Sequence, residues 1–472
     1  MNLEEVTKRF LEWEKDNKWY EVCLNGYPVY SFIRVEIYES IIFASDLNKI
    51  FRKTGNVSLK KINYRKILHN SLRYVLKESS LKKQKLVITN TENKIKVDDY
   101  YVDKFFDKII RKTSSEVSVL EFPDSKEYHY NNILNKGKTV EGDIFYVLEK
   151  LFPGRIDKEK LIDTSKRIFE AYSKLFKEIY GLTPAKGSEE EIYKRIKRNI
   201  SRIHIYEWFI KKYKPREVFL KSSYSPLMQI FIFLCKKYKV KTIEVQHGHI
   251  YPLHIGYLMP MDIEGCNELF PDRILVWSNY YKEILIKNNW KANKIRVIGD
   301  FTYNKELVIK NSSDISALVK LSKQYSKVIT LVSQHTLDKE FVEYLNNVND
   351  LPESVLVFIK LHPKYIGAQE KSFKTIIEKF NNVLLVTQGN IKDYLQISDL
   401  VVGVYSTGII EALEMNKVVH LIDTDMSQFF NDLVEMEIIQ KSKSIASSYN
   451  KIINQDNNIN IEFRSKFLGY HI

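Results

Sequence analysis

The sequence predicts an α/β protein with two successive Rossmann-like domains that face each other across a cleft, preceded by a helical region. From residue 217 onward, short apolar runs alternate with amphipathic helical segments. This alternation is typical of parallel strands with helices on both faces of the sheet. The chain has 472 residues, which is too long for one ordinary core, so more than one domain is expected.

The pattern divides the chain into three parts. We predict a helical region over residues 1–84 that packs on the first domain, a first Rossmann-like domain over 85–310, and a second over 311–472 whose final segment packs back. The N-terminal region carries an apolar face that either packs on the domain or binds a membrane or a partner protein. Its members are Trp13, Trp19, Tyr20, Tyr30, Phe32, Ile33 and Ile37.

Each domain is predicted from its strands. The first has Lys85–Thr89, Glu116–Leu120, Glu217–Leu220, Lys241–Val245, Asp272–Trp277 and Lys294–Ile298, with a long helical stretch over Asp157–Tyr213. The second has Val328–Val332, Ser354–Lys360, Val383–Val386, Leu400–Val402 and Val418–Ile422. Ligands of open α/β sheets bind beyond the carboxyl ends of the strands, so the residues that follow each strand are the candidates for function.

Composition narrows the class of protein. A hydrophobic fraction of 44% predicts a soluble globular chain, and the charged N-terminus has no signal-peptide apolar region. Three scattered cysteines favour neither a disulfide framework nor a zinc site, and a reducing cytoplasm fits best. The net charge of +14 favours an anionic partner. Nucleic acid ranks low among such partners, because the aromatic residues form no RNA-binding motif.

The first candidate motif is Gln246-His247-Gly248, at the end of a predicted strand. Gly248 allows a sharp turn and a close approach of a ligand, and an imidazole there is suited to be a general base. Residues in the loops of the same domain are expected to contact the ligand: Ser222, Ser223, Gln246, Gly248 and His249. The alternative is a set of loop residues with hydrogen-bonding roles only.

Two further motifs lie in the second domain. His362-Pro363 follows a strand and is flanked by Lys360 and Lys364, whose donors suit phosphate oxygens. Tyr405-Ser406-Thr407-Gly408 opens a helix that holds Glu411 in its expected first turn, where hydroxyls and free N–H groups favour an anion. Ser333-Gln334-His335 follows another strand and is a weaker phosphate contact. Each motif alone is also compatible with a simple turn or helix cap.

The three motifs, in this order, resemble those of bacterial cell-surface polysaccharide glycosyltransferases of the GT-B architecture: teichoic-acid glycerophosphotransferases, polysialyltransferases and capsule Kdo transferases. His247-Gly248 matches the segment that supplies the base in the glycerophosphotransferases, His362-Pro363 matches a phosphate contact, and Ser406-Thr407 matches the donor-phosphate pair. The acidic pair that precedes Gly in sialyltransferases is absent here, which argues against a sialic acid donor. The resemblance covers roughly residues 215–425.

The resemblance implies a metal-independent, cytidine-nucleotide-dependent transferase of capsule or lipopolysaccharide synthesis, with no cofactor. His247 would be the base and His362 would stabilise the leaving phosphate. The implied partners are a nucleotide-sugar donor and a glycan or lipid-linked acceptor. The resemblance also implies a cytoplasmic protein that works at the inner face of the membrane, in contact with anionic lipid.

Two alternatives remain open. Thr407-Gly408 and Glu411-Ala412 also match a late segment of UDP-sugar epimerases, so a UDP-sugar transferase or epimerase is the first. A non-catalytic GT-B-like scaffold of a polysaccharide assembly complex is the second.

Overall fold

The computed structural model describes residues 3–43, 64–97, 99–113, 115–123, 129–152, 154, 156–258, 269–299, 313–334, 337–361, 366–387, 389–454 and 467. The strands are β1 (Lys85–Asn90), β2 (Lys94–Val97), β3 (Tyr100–Asp103), β4 (Val117–Phe122), β5 (Thr139–Glu141), β6 (Glu217–Leu220), β7 (Lys241–Val245), β8 (Arg273–Val276), β9 (Ile295–Val297), β10 (Lys327–Val332), β11 (Val355–Lys360), β12 (Val383–Val386), β13 (Leu400–Gly403), β14 (Val418–Ile422) and β15 (Gln440–Ser442).

The helices in the same ranges are α1 (Leu3–Asp16), α2 (Arg34–Ile42), α3 (Tyr64–Lys77), α4 (Asp107–Lys112), α5 (Asp143–Leu151), α6 (Lys158–Tyr180), α7 (Ser188–Tyr213), α8 (Pro226–Lys237), α9 (Asn279–Lys287), α10 (Ser313–Ser322), α11 (Asp338–Tyr344), α12 (Ile366–Lys379), α13 (Ile391–Ile397), α14 (Thr407–Glu414), α15 (Asn431–Glu435) and α16 (Ile445–Asn454). Among these described helices, none is both long enough and apolar enough to cross a bilayer.

The chain divides into two units, each built on a parallel sheet. The first unit contains the strand order β5-β4-β1-β6-β7-β8-β9, and the second contains β12-β11-β10-β13-β14-β15. The second unit also includes two short segments from earlier in the chain, 248–251 and 278–280. The predicted fold class of two successive Rossmann-like α/β units with a helical N-terminal region is therefore confirmed.

Both faces of each sheet are covered. In β1, Leu86 and Ile88 belong to the large core of the first unit, whereas Val87 between them belongs to the core on the opposite face. In β10, Ile329 and Val328 divide between two cores in the same way. This alternation follows from the two-residue period of a strand, and it explains why the strands were recognisable as continuous apolar runs.

The N-terminal helices are part of the first core. Trp19, Tyr30 and Ile37 are completely buried and share one cluster with Tyr172 of α6 and Phe209 of α7. Of the two interpretations of the aromatic N-terminal face, the structure therefore supports a helical layer packed on the domain. The alternative, that this face binds a membrane or a partner, does not fit these residues, because all of them are buried in this core except Tyr20, which is partly buried against it.

Several elements differ from the sequence prediction. The helical stretch over Asp157–Tyr213 is two helices, because Gly181 takes a left-handed conformation (φ 69°) and ends α6. The short strands β2, β3, β5 and β15 were not predicted. All of the predicted strands are present, and none of their ends differs from the predicted end by more than two residues. Of the final segment, only Phe467 lies within the described residues, and its ring contacts His249 and Tyr280.

Candidate functional site

The first sheet has one position where the direction of chain progression reverses. From β1 the chain proceeds to β4 and β5 on one side, and it then returns to place β6 on the other side of β1. The loops that follow β1 and β6 diverge at such a position, which leaves room for a ligand beyond the strand ends. Lys221, Ser222 and Ser223 follow β6 directly, so they lie at this switch point.

His247 follows β7, the neighbour of β6, and contacts the switch-point loop. Its Nε2 lies 3.0 Å from Ser222 Oγ and 3.4 Å from the hydroxyl of Tyr224. Its Nδ1 is shielded from solvent and has no hydrogen-bond partner within the described part of the chain. Burial, together with the positive charges of Lys221 and Lys104 and with His254, holds the pKa of His247 well below its ordinary 6.5. The ring is therefore neutral at pH 7 and has a lone pair for a proton.

The hydroxyl that meets His247 is held by strained backbone. Ser222 has φ 52°, a left-handed conformation that costs a non-glycine residue about 1–2 kcal/mol. The next residue secures it, because the Ser223 N–H donates to Glu244 Oε1 at 3.1 Å. The hydroxyl of Tyr257 donates to the same oxygen at 2.7 Å. Strain of this kind persists only where the surroundings fix it, and Glu244 is the group that does so here.

Glu244 itself is completely buried inside β7. Burial raises the pKa of its carboxyl group to about 7, although the hydrogen bonds from Ser223 and Tyr257 act in the opposite direction. Its Oε2 has no hydrogen-bond partner within the described residues. The sequence prediction includes Glu244 only within the strand Lys241–Val245 and gives it no role. The signal that would have found it is an acidic residue between the apolar residues of a buried strand.

Because the folded pKa of Glu244 is raised, its contribution to stability has a definite sign. Between about pH 4.5 and pH 7 the folded protein keeps a proton that the unfolded chain has lost, so stability falls as the pH rises. We expect Glu244→Gln, which keeps an oxygen acceptor for Ser223 and Tyr257, to remove this slope. The unfolding free energy of wild type relative to the variant should fall by about 3 kcal/mol across that range.

The measurement is urea unfolding followed by tryptophan fluorescence at several pH values. All five tryptophans of the chain lie in the first unit, so the signal reports that unit. Parallel pH profiles for wild type and variant would show that Glu244 titrates as it does in the unfolded chain.

The second sheet has its own switch point, between β10 and β13. The chain proceeds from β10 to β11 and β12 on one side and then places β13 on the other side of β10. Ser333 and Gln334 follow β10, and Tyr405, Ser406 and Thr407 follow β13. Gln334 Oε1 accepts a hydrogen bond from the Tyr405 N–H at 3.1 Å, so the two loops are joined. The residues predicted from two separate motifs thus lie together at the position where an α/β sheet binds ligand.

Helix α14 begins at this switch point. Ser406 is its N-cap, and Ser406 Oγ accepts from the Gly408 N–H at 3.2 Å. A Cβ at Gly408 would lie 3.0 Å from Val332 of β10, so glycine lets the helix start close against the strand end. A Cβ at Gly248, which belongs to the second unit, would lie 3.6 Å from Thr407. The remaining N–H groups of the first turn and the Thr407 hydroxyl are the donors that an anion would meet.

Lys360 ends β11, on the other side of β10, and is 95% buried. Its carbonyl accepts from the Ser333 N–H at 3.1 Å, which links it to the same loop. Nζ lies 5.9 Å from the ring centre of Tyr394, and no carboxylate of the described residues pairs with it. Burial lowers the pKa of Lys360. A desolvated ammonium group of this kind is stabilised by a bound anion.

The other predicted site residues divide into three groups. His335, His362, Pro363 and Lys364 lie outside the described residues, so their roles remain predictions. Gln246 and His249 are directed to protein partners: Gln246 accepts from the Trp277 N–H at 2.9 Å, and the ring of His249 stacks on Phe430 at 4.7 Å. The prediction that Glu411 lies in the first turn of its helix is wrong, because α14 begins at Thr407 and Glu411 is its fifth residue.

No group of three or more His, Cys, Asp or Glu side chains with the geometry to hold a metal ion occurs within the described ranges. One group of acidic side chains in the first unit is neutralised by protein cations. There, Glu121 and Asp143 hold His129 between them at 2.7 and 2.8 Å, and Lys94 lies 2.9 Å from Glu121.

Comparison with known proteins gives likenesses of fold only. No protein-family model matches the chain, and no curated protein matches it significantly. Among solved structures, UDP-GlcNAc 2-epimerase from Methanocaldococcus jannaschii is 12% identical, with a TM-score of 0.49 over 82% of this chain and 97% of that one. The S. aureus MnaA–UDP structure is 11% identical, with a TM-score of 0.49 over 82% of this chain and 93% of that one. The kitacinnamycin glycotransferase is 10% identical, with a TM-score of 0.46 over 82% of this chain and 93% of that one.

Proposed function

We propose that the protein is a transferase that uses a nucleotide-activated sugar or polyol phosphate, with the nucleotide phosphates bound by the second unit. The observation that carries this proposal is that Ser333, Lys360 and Ser406 all follow or end neighbouring strands, β10, β11 and β13, at the same edge of the second sheet. A largely buried lysine without a carboxylate partner in the described residues and a capped helix start at this edge are the donors for a phosphate anion.

The first unit supplies the proton acceptor in this proposal. The Nε2 lone pair of His247 accepts from the Ser222 hydroxyl, which is partly exposed, whereas Nδ1 is shielded from solvent. Ser222 Oγ takes the proton of an acceptor hydroxyl while its own proton passes to Nε2, and the acceptor oxygen attacks the transferred group. The bond from this group to the nucleotide phosphate breaks, and its electron pair leaves on the phosphate oxygen. Lys360 and the N–H donors of α14 stabilise this negative charge.

The proposal leaves two nucleotide classes in competition. The sequence resemblance implies a cytidine nucleotide and synthesis of capsule or another surface polysaccharide. The similar solved structures include complexes with UDP, and a UDP-sugar transferase or epimerase is the corresponding alternative. We propose further that binding requires no divalent metal, because Lys360 and the helix start provide the positive electrostatic potential that a metal would otherwise supply.

We expect one nucleoside mono- or diphosphate to bind in the presence of EDTA, and Lys360→Met to weaken its binding about 10- to 100-fold. The measurement is isothermal titration calorimetry with CMP, CDP, UMP, UDP and GDP. Lys327→Met is the matched control, since Lys327 starts β10 at the opposite edge of the same sheet and is half exposed.

The outcome identifies the donor class. Preference for a cytidine nucleotide supports the surface-polysaccharide transferase, and preference for UDP supports the alternative. If no nucleotide binds, or if Lys327→Met weakens binding as much as Lys360→Met does, the proposed phosphate site is wrong and the non-catalytic scaffold gains support.

A further inference from the structure

Helix α3 has two apolar faces, and one of them packs on the first unit. Ile67, Asn70 and Tyr74 are buried on this inner face. The hydroxyl of Tyr74 lies 3.0 Å from that of Tyr213, and Asn70 Nδ2 donates to Asp143 at 3.4 Å. These contacts fix the rotation of the helix about its axis, and therefore also fix which residues lie on the opposite side.

The outer face is a stripe of large apolar side chains in contact with solvent. Leu68, Leu72, Val75 and Leu76 are 65%, 58%, 57% and 82% exposed. Their spacing of four, three and one residues places them along one side of the helix, away from the buried face. Single exposed leucines are common on protein surfaces, but a row of four on consecutive turns marks a binding surface.

The sequence of this helix and of the residues that follow it is basic. Residues 64–85 contain seven Lys or Arg residues and one acidic residue, Glu78. Arg73 and Lys77 are held by Glu141 at 3.1 and 3.6 Å. Lys82 and Lys83, five and six residues after the last residue of the helix, are exposed and form no ion pair with an acidic side chain of the described residues. An exposed apolar stripe that is followed in the chain by exposed lysines is complementary to an anionic lipid surface.

We propose that the outer face of α3 docks on the surface of an anionic lipid bilayer. The stripe enters the boundary between headgroups and acyl chains, and Lys82 and Lys83 contact the lipid phosphates. A second copy of the chain fits less well, because symmetric pairing through α3 would bring two positively charged segments together. This surface replaces the aromatic residues of the N-terminal region, which are buried, as the membrane contact.

The test is sedimentation with vesicles of phosphatidylcholine containing about 30% phosphatidylglycerol, compared with pure phosphatidylcholine. We expect wild type to bind the anionic vesicles, and Leu72→Gln/Leu76→Gln to bind about 10-fold less. The matched control is Ile162→Gln/Leu182→Gln, which alters two apolar residues that are 51% and 61% exposed elsewhere in the first unit. Near-UV circular dichroism verifies that each variant is folded.

The charge contribution is tested separately with Lys82→Glu/Lys83→Glu, which should abolish the preference for anionic vesicles. The proposal is overturned if wild type binds neither vesicle, or if the leucine variant binds as well as its control. It is also overturned if sedimentation velocity without lipid shows a dimer that the leucine variant dissociates, because the stripe would then belong to a second copy. None of these measurements depends on the proposed function, since binding rather than turnover is measured.

Discussion

Replacing His247 with alanine is expected to lower turnover about 10²- to 10⁴-fold while leaving nucleotide binding unchanged. The rate loss is what removal of a general base costs. Binding is retained because the proposed phosphate site is formed by Ser333, Lys360 and Ser406 in the second unit. The measurement is release of nucleotide from the donor class identified by calorimetry, with kcat determined at saturating donor.

The pH dependence distinguishes a base from a residue that only supports the loop. Because burial holds the pKa of His247 below 6.5, activity in wild type should decline only at pH values below that, as the ring becomes protonated. In His247→Ala the residual rate should lack this decline. His204→Ala is the control, since His204 is a partly buried histidine of α7 that lies against Tyr27. Wild-type turnover by His247→Ala, with the donor still bound, would exclude His247 as the base. Absence of turnover in both wild type and variant would favour the scaffold alternative.

Strand ends were the most predictable part of the site. An open parallel sheet brings the ends of sequential strands to one edge, so polar residues after apolar runs are brought together without any knowledge of tertiary contacts. Two such pairs form hydrogen bonds in the structure. Ser222 bonds His247, 25 residues further along the chain, and Gln334 bonds Tyr405, 71 residues further along.

The direction of individual side chains was less predictable. Gln246 and His247 are neighbours in sequence, yet Gln246 bonds the backbone of Trp277 and His247 faces Ser222. Glu244 was overlooked because its importance depends on Tyr257 and on the unusual backbone of Ser222, and local sequence shows neither. The strands β2, β3, β5 and β15 were missed because each is short and also contains polar or charged residues (KIKV, YYVD, TVE and QKS), so no continuous apolar run marks them as it marks the equally short β12 (VLLV).

The role of the N-terminal region also depends on contacts that are distant in sequence. Arg34, the first residue of α2, donates through Nη1 to the carbonyl of Ile255 at 2.6 Å. Ile255 is two residues from Tyr257, which binds the Glu244 carboxyl group. Gly256, between them, packs so closely on the Tyr224 ring that a Cβ would come within 2.5 Å of it. The N-terminal helices therefore support the loop that surrounds the His247 site.

Glu14→Ala is expected to be the most destabilising single substitution in this region, at about 3–5 kcal/mol. Glu14 is 1% exposed and binds Arg34 through both carboxylate oxygens, Oε1 to Nε at 2.7 Å and Oε2 to Nη2 at 2.9 Å. Tyr30 donates to Oε1 at 2.6 Å. Burial alone would lower the pKa of Arg34, but the charge and hydrogen bonds of Glu14, together with Tyr20 and Tyr30, outweigh it and raise that pKa. Without Glu14, a buried guanidinium group has no counter-charge.

Urea unfolding followed by tryptophan fluorescence measures this loss, because Trp13 and Trp19 pack directly against Tyr30. Arg9→Ala is the control, since Arg9 forms an exposed pair with Glu5 on the same helix and should change stability by less than about 1 kcal/mol. The double variant Glu14→Ala/Arg34→Met should recover part of the loss, because it removes the uncompensated charge. Two results would mean that the buried pair does not anchor the N-terminal region to the site. One is a loss of unfolding free energy in Glu14→Ala that is no larger than the loss in Arg9→Ala. The other is a loss in the double variant that exceeds the sum of the losses in the two single variants.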